Sequence, residues 1–262
     1  MKSTPAVMAI LVVGAVAAAQ PAKDYQRTFP VDKKNLGVRG DNPYFPLTPG
    51  YRLSYKNGDD IDTLTVLSAT KTIDGVEVRV VEDREESKGQ LVELTLDYYA
   101  IDSTNNDVYY MGEDVDVYQN GKVAGHAGSW LSGVKGAHFG LMMPGKPKAG
   151  QRFYNEVAPG VGMDRVEITS VSETIVTPAG TFEHCIHTVE TTPLEKGAAD
   201  HKVYAPGVGA VKDGKLMLVK YGTSAARTPM GAFGRRRGPA RSRSEVRFLA
   251  CPRLRGRAVL GC

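Results

Sequence analysis

Glu113 and Asp114 stand side by side in the stretch Tyr109-Tyr110-Met111-Gly112-Glu113-Asp114. Two carboxylates and an imidazole are donors that a divalent metal accepts, oxygen suiting hard cations and nitrogen softer ones. His201, beside Lys202 and near Tyr204, is the imidazole on offer. Glu113, Asp114 and His201 are therefore the candidate metal site. The plainer alternative is a rim in which Lys202 pairs with an acid, an arrangement of little energetic weight at a surface. His184-Cys185-Ile186-His187 is a second constellation. On a strand His184 and His187 point to opposite faces, while Cys185 and His187 share one and could meet a soft metal. A structural strand with exposed histidines is the simpler reading. Asp59, Asp60 and Asp62 crowd one turn, and Asp102, Asn105, Asn106 and Asp107 another, without the spacing of an EF-hand. The chain has no Gly-rich phosphate loop, Cys-pair zinc pattern or Gly-x-Ser-x-Gly elbow. No catalytic residue is assigned, and the chain leans away from being an enzyme. No cofactor is predicted beyond the divalent metal that the acidic and His residues would take.

A second chemistry is apolar. The Gly-rich stretch 125–148 carries Trp130, Phe139, Met142 and Met143. It reads as a long connection, with one helical turn at most, laying apolar side chains over a core. Trp130, Phe139, Met142 and Tyr204 are the candidate lining of a ligand pocket between this connection and the sheet. The same four serve equally as plain core.

The elements that must hold these residues are strands. Leu64, Val66 and Ser68 alternate within 61–71, and Val76, Val78 and Val80 alternate with Glu77 and Arg79. Val92, Leu94, Leu96 and Tyr98 alternate with Glu93, Thr95 and Asp97. A period of two places one set inward and the other on the opposite face. Asn57-Gly58, Asp74-Gly75, Asn120-Gly121 and Asp213-Gly214 supply the positive φ that short hairpins need. Further strand patterns follow at 108–111, 115–118, 152–157, 165–176, 181–191, 202–204 and 216–221. Asn42 to Gly50 holds three prolines among Tyr44, Phe45 and Leu47. It can be neither helix nor central strand, and reads as an extended plug whose aromatics cover one end of a core. The prediction is an all-β fold, an antiparallel meander curling into an open or half-closed barrel around one apolar interior.

Residues 1–19 read as a secretory signal peptide: Lys2, an apolar run from Ala6 to Val16, and Ala17-Ala18-Ala19 before Gln20. The run is too short to span a bilayer, which takes ~20 apolar residues. Residues 20–40 read as a mobile lead-in, 41–223 as a single β domain and 224–262 as a disordered tail. The body from 20 to 226 has fifteen Lys and seven Arg against twenty-eight acids. From Arg227 onward there are ten Arg, no Lys and one acid. The basic balance thus belongs to the tail. Its Arg, Gly, Pro and Ala bias matches a GC-rich gene read out of frame, with a cationic arm as the alternative. Nucleic acid is not an expected partner. Cys185 is the body's one cysteine, so packing rather than disulfides must stabilise it.

Asn42-Pro43-Tyr44-Phe45-Pro46-Leu47 with Pro49-Gly50, the Tyr109–Asp114 stretch, Gly128-Ser129-Trp130, Met143-Pro144 and Thr192-Pro193-Leu194-Glu195 form one set with a closing His201-Lys202-Val203-Tyr204-Ala205-Pro206-Gly207-Val208-Gly209. Together they resemble uncharacterised secreted bacterial β-rich proteins. The last turn is also similar to one in periplasmic open-barrel proteins related to lipoprotein carriers. The resemblance implies an exported β-rich fold, periplasmic or extracellular, and no established reaction. The reading is a non-enzymatic protein binding a small apolar or amphipathic ligand. The alternatives are a metal-binding protein or metal-dependent enzyme, and a surface interaction domain.

Overall fold

The computed structural model describes residues 24–223. The leader 1–19 and the tail 224–262 lie outside the described residues. The chain forms one sheet of sixteen strands. They are β1 (Leu36–Gly37), β2 (Tyr51–Asn57), β3 (Asp60–Ile73), β4 (Val76–Ser87), β5 (Gln90–Asp102), β6 (Val108–Gln119), β7 (Lys122–Gly125) and β8 (Trp130–Leu131). Then follow β9 (His138–Met143), β10 (Arg152–Tyr154), β11 (Glu156–Val157), β12 (Arg165–Thr177), β13 (Gly180–Thr192), β14 (Glu195–Ala205), β15 (Gly209–Asp213) and β16 (Leu216–Thr223). Every strand pair is antiparallel, and consecutive strands are mostly neighbours, as in a meander. The turns follow their chemistry. Asp74 and Gly75 both have positive φ, the requirement of a two-residue hairpin between right-twisted strands.

The sheet is a nearly closed barrel, because β16 returns to pair with β2. The remaining seam lies at Asn155. On one side of it β10 pairs with β12, and on the other β11 pairs with β9. One bent segment thus touches both ends of the sheet. Gly140 in β9 permits this approach: a Cβ there would lie 2.5 Å from backbone atoms of Tyr154 and Asn155.

Stretch 125–148, expected as a long connection over the core, instead contributes strands. β8 and β9 both pair with β6, so its apolar residues are part of the wall. Residues 24–40, expected as a mobile lead-in, lie against the barrel. Gln26 bridges Phe153, β1 pairs with β5, and Phe29 meets Tyr109 edge-on at 5.8 Å. The sequence pattern missed this because the segment carries few apolar residues and borrows its order from the strands beneath.

The plug is present. The Asn42 side chain, 1% exposed, donates to the carbonyls of Asn106, Met143 and Pro144 and accepts from the Tyr44 N–H. Phe45 packs edge-on against Tyr99 at 4.9 Å, and Tyr99 stacks on Tyr110 at 5.0 Å. Gly207 N–H donates to the Pro43 carbonyl at 2.7 Å. Pro46 rests 3.3 Å from where a Cβ would stand on Gly209, whose φ is +100°. The plug and the Pro-Gly-Val-Gly turn therefore build one end of the barrel together. Burial of such rings and of Val66, Val78, Val80 and Ile101 stabilises that end, by about 1.5–3 kcal/mol per large side chain.

Candidate functional site: an acidic belt and an apolar cleft

Below the aromatic layer the interior changes character. Thr95 and Asp97 of β5 are buried, whereas Leu94 and Leu96, which alternate with them, are only half-buried. The inward set is the polar one, which corrects the expectation of a uniformly apolar interior. Alternation shows that two faces differ but not which faces in; cross-strand neighbours decide that. Across the ladder Asp97 stands opposite Glu113, and Glu113 opposite Trp130. Asp62 stands opposite Tyr55, Glu190 opposite both Val166 and Asp200, and Lys202 opposite Asp213. Ionisable side chains thus recur from strand to strand around the lumen: Asp62, Asp83, Asp97, Glu113, Glu156, Asp164, Glu190, Lys202 and Asp213.

Burial first, then mutual repulsion, shapes the chemistry of this belt. Desolvation raises the Glu156 carboxyl well above its ordinary value, and Asp164, Glu113, Glu190 and Asp97 push it the same way. Glu113 is raised by desolvation, then by Asp97 and Asp164, with a hydrogen bond from Trp130 opposing. Asp62 is raised by desolvation and by Asp83, Glu85 and Asp213. Tyr110 OH donates to Asp97 Oδ1 at 2.8 Å. Lys202 Nζ lies 2.9 Å from Glu190 Oε2 and 3.1 Å from Asp213 Oδ2, its side chain 4% exposed. Desolvation acts against that ammonium, but Asp213 and Glu190 outweigh it and hold its pKa well above the usual lysine value. The Asn155 amide at the seam donates to Glu190 Oε1 at 3.4 Å.

Glu113 belongs to this belt, but the structure does not bring the candidate metal trio together. Neighbours on a strand face opposite ways, so Asp114 points outward. There it accepts from Lys71 Nζ at 2.8 Å and from Tyr98 OH at 2.7 Å. His201 lies on another wall, its Nδ1 3.1 Å from His187 Nε2 in a stacked pair. Burial and then His201 lower the His187 imidazole below its ordinary value. Cys185 and His187 stand two apart on β13, each near Glu173, but only Cys185 is buried in the apolar cluster around Val203, while His187 stacks on His201. His184 takes a left-handed φ of +56°, the ladder slips beside it, and Cys185 becomes fully buried among Val203, Val211 and Leu218. Among the described residues no group of three or more His, Cys, Asp or Glu is arranged to hold a metal ion.

Trp130, Met142 and Tyr204 are buried, and Trp130 meets Tyr110 edge-on at 5.3 Å. Phe139 packs instead on Tyr109, on the other face of β6, beside Phe29. A small apolar cleft of about 50 Å³, partly open to solvent, lies under the plug. Its wall includes Phe45, Leu47, Tyr51, Leu53, Tyr55 and Leu64, and none of the four residues expected to line a pocket. Pairing of the plug with distant strands creates this cleft, and no local pattern announces it. Tyr51 OH and Tyr55 OH donate at 2.9 Å to the Val208 and Ala210 carbonyls, which fixes both rings in the wall.

The molecule is thus an antiparallel barrel with an apolar cleft above an acidic belt. No protein-family model matches the chain, and no curated protein matches it. It is similar to a protein from Parabacteroides distasonis, described with its crystal structure as a "putative lipoprotein". The similarity covers 70% of this chain and 100% of the other, at 14% identity and a TM-score of 0.34, too distant to bear on function. Among the described residues no helix is long and apolar enough to cross a membrane.

Proposed function

We propose that this chain is an exported, non-enzymatic binding protein of the envelope or extracellular space that takes a small amphipathic ligand at the plugged end of its barrel. The observation that carries the reading is the apolar cleft under Phe45 and Leu47, whose wall residues Tyr55 and Leu64 stand opposite Asp62 and Asp83 across the ladders. A site with one greasy wall and a few convergent polar groups suits a molecule with one greasy end. The leader-like first nineteen residues support export. The resemblance to secreted β-rich proteins and lipoprotein-carrier relatives supports the same reading. A ligand larger than the cleft seats by displacing Phe45, Pro46 and Leu47, which form part of its wall.

Native mass spectrometry of protein purified from its source is expected to show a bound amphiphile. Leu64→Glu, which puts a charge on the cleft wall, is expected to abolish that binding while leaving the circular dichroism of the barrel unchanged. A ligand-free wild type that also ignores a panel of lipids and detergents, with no change in the fluorescence of the single tryptophan Trp130, would remove the proposal.

A further inference from the structure

A second cavity, of about 560 Å³ and partly open to solvent, lies where the segment before β1 meets the β5–β6 turn and the loop after β9. That volume falls within the ~300–1,000 Å³ of small-molecule sites, and the cavity shares no residue with the apolar cleft. Its lining differs in kind. Gln26, Asn106, Asp107, Lys146 and Gln151 bring polar groups, while Phe29 and Tyr109 supply an aromatic wall in which the two rings meet edge-on at 5.8 Å.

Hydrogen bonds hold these residues in place before any ligand arrives. Asp107 Oδ1 accepts from the Gly145 N–H at 2.8 Å and its Oδ2 from the Asn105 amide at 2.9 Å, which ties the β5–β6 turn to the loop after β9. Asn106 Oδ1 accepts from the Asp41 N–H at 3.3 Å, and Gln151 Oε1 from the Lys148 N–H at 2.6 Å. Gln26 Nε2 donates to the Thr28 carbonyl at 3.1 Å. Each of these three amides spends one end on the protein. The ends left over are two donors, Asn106 Nδ2 and Gln151 Nε2, and one acceptor, Gln26 Oε1. The carboxylate of the lining, Asp107, is taken up by the turn, and its cation, Lys146, is exposed.

We propose that this cavity binds a neutral saccharide. A sugar hydroxyl donates and accepts at once, so a run of them meets amide donors and acceptors together. The C–H face of a pyranose ring is apolar and packs on an aromatic wall such as Phe29 and Tyr109 provide. An alkyl chain would leave the amides unpaired. An anion would meet the Asp107 carboxylate, and a cation the Lys146 ammonium. The site is separate from the amphiphile cleft, and neither reading depends on the other.

The test is saturation-transfer NMR and titration calorimetry of the full chain with maltose, cellobiose, chitobiose and mannobiose, and with glucuronate and glucosamine as charged controls. At least one disaccharide is expected to bind with a Kd on the order of 1 mM, and at least ~5-fold more tightly than either charged sugar. Phe29→Ala removes half of the aromatic wall, and Gln151→Ala removes an amide donor. Each is expected to weaken binding ~10-fold or more, whereas Leu64→Glu in the cleft leaves it unchanged. Should Phe29→Ala fail to fold, Gln151→Ala decides. Binding of no disaccharide at about 20 mM overturns the proposal, as does binding that the folded cavity variants do not weaken. Tighter binding of glucuronate, lost in Lys146→Ala, would make the cavity an anion site and overturn the neutral class.

Discussion

Glu113 and Asp114 are adjacent in sequence and belong to different environments. Glu113 enters the belt, and Asp114 makes a surface pair with Lys71 and Tyr98. Residue types alone marked both as chemistry; the pleat separated them. Lys202 shows the reverse. It read as a rim residue beside His201 pairing with a surface acid, yet it is the buried cation that Glu190 and Asp213 share. Removing such a cation leaves two carboxylates facing each other without it. Lys202→Met is therefore expected to destabilise the fold by about 3–5 kcal/mol at neutral pH in urea unfolding. A loss no larger than that of a surface substitution would show that the two acids are protonated and do not depend on it.

Among the elements, the hairpins were legible because period-two runs ended at Asn-Gly and Asp-Gly turns with the backbone those residues favour. β13 was legible as a strand, but not the bulge before Cys185, where His184 takes a left-handed φ that composition does not announce. β8 and β9 were hidden by glycines. Gly140, which looks like a loop residue, is there because backbone passes close by at the seam. The plug was legible from its prolines and aromatics. Its clamp is the buried Asn42 amide, which serves three carbonyls. Asn42→Ala would leave those carbonyls unsatisfied, at roughly 1–3 kcal/mol for each buried group. The expected outcome is a lower thermal midpoint and earlier proteolytic cutting within 42–50 than elsewhere. An unchanged midpoint would mean that the aromatic contacts alone hold the plug.

At the scale of the whole molecule, the belt sets the response to pH. Asp62, Glu113 and Glu156 have carboxyls raised well above the ordinary value, first of all by burial. The folded chain therefore keeps protons that the unfolded chain, with carboxyl values near ~4, has released. Their stabilisation is fully present below that unfolded value and is lost as the pH rises through the raised folded values. Asp74 runs the other way: burial opposes its charge, but hydrogen bonds from Lys33 and Ser132 lower it. His187, also lowered, acts in the same sense as Asp74, but the three carboxyls raised by burial outweigh these two, and the thermal midpoint is expected to fall from about pH 5 to about pH 8. A midpoint that rises over this range would mean that the belt is ionised and paired in the fold. The last strand also finds its partner within the described residues, with Thr223 of β16 pairing with Tyr51 of β2. Deleting 224–262 is accordingly expected to leave the melting transition unchanged, and a large drop would assign the tail a structural part.

What the chain determined by itself was local: strands from alternation, turns from Asn, Asp and Gly, and a capped end from the proline-rich segment, each dictated by φ, ψ preferences and side-chain periodicity over a few residues. The tertiary structure decided which face of each strand turned inward. It thereby gathered an acid from one strand after another into a ring and left an apolar cleft where plug and turn meet. Those outcomes depend on pairings between residues far apart in the chain, and whether a carboxyl near one turn ends beside a tyrosine or in water is a property of the closed sheet.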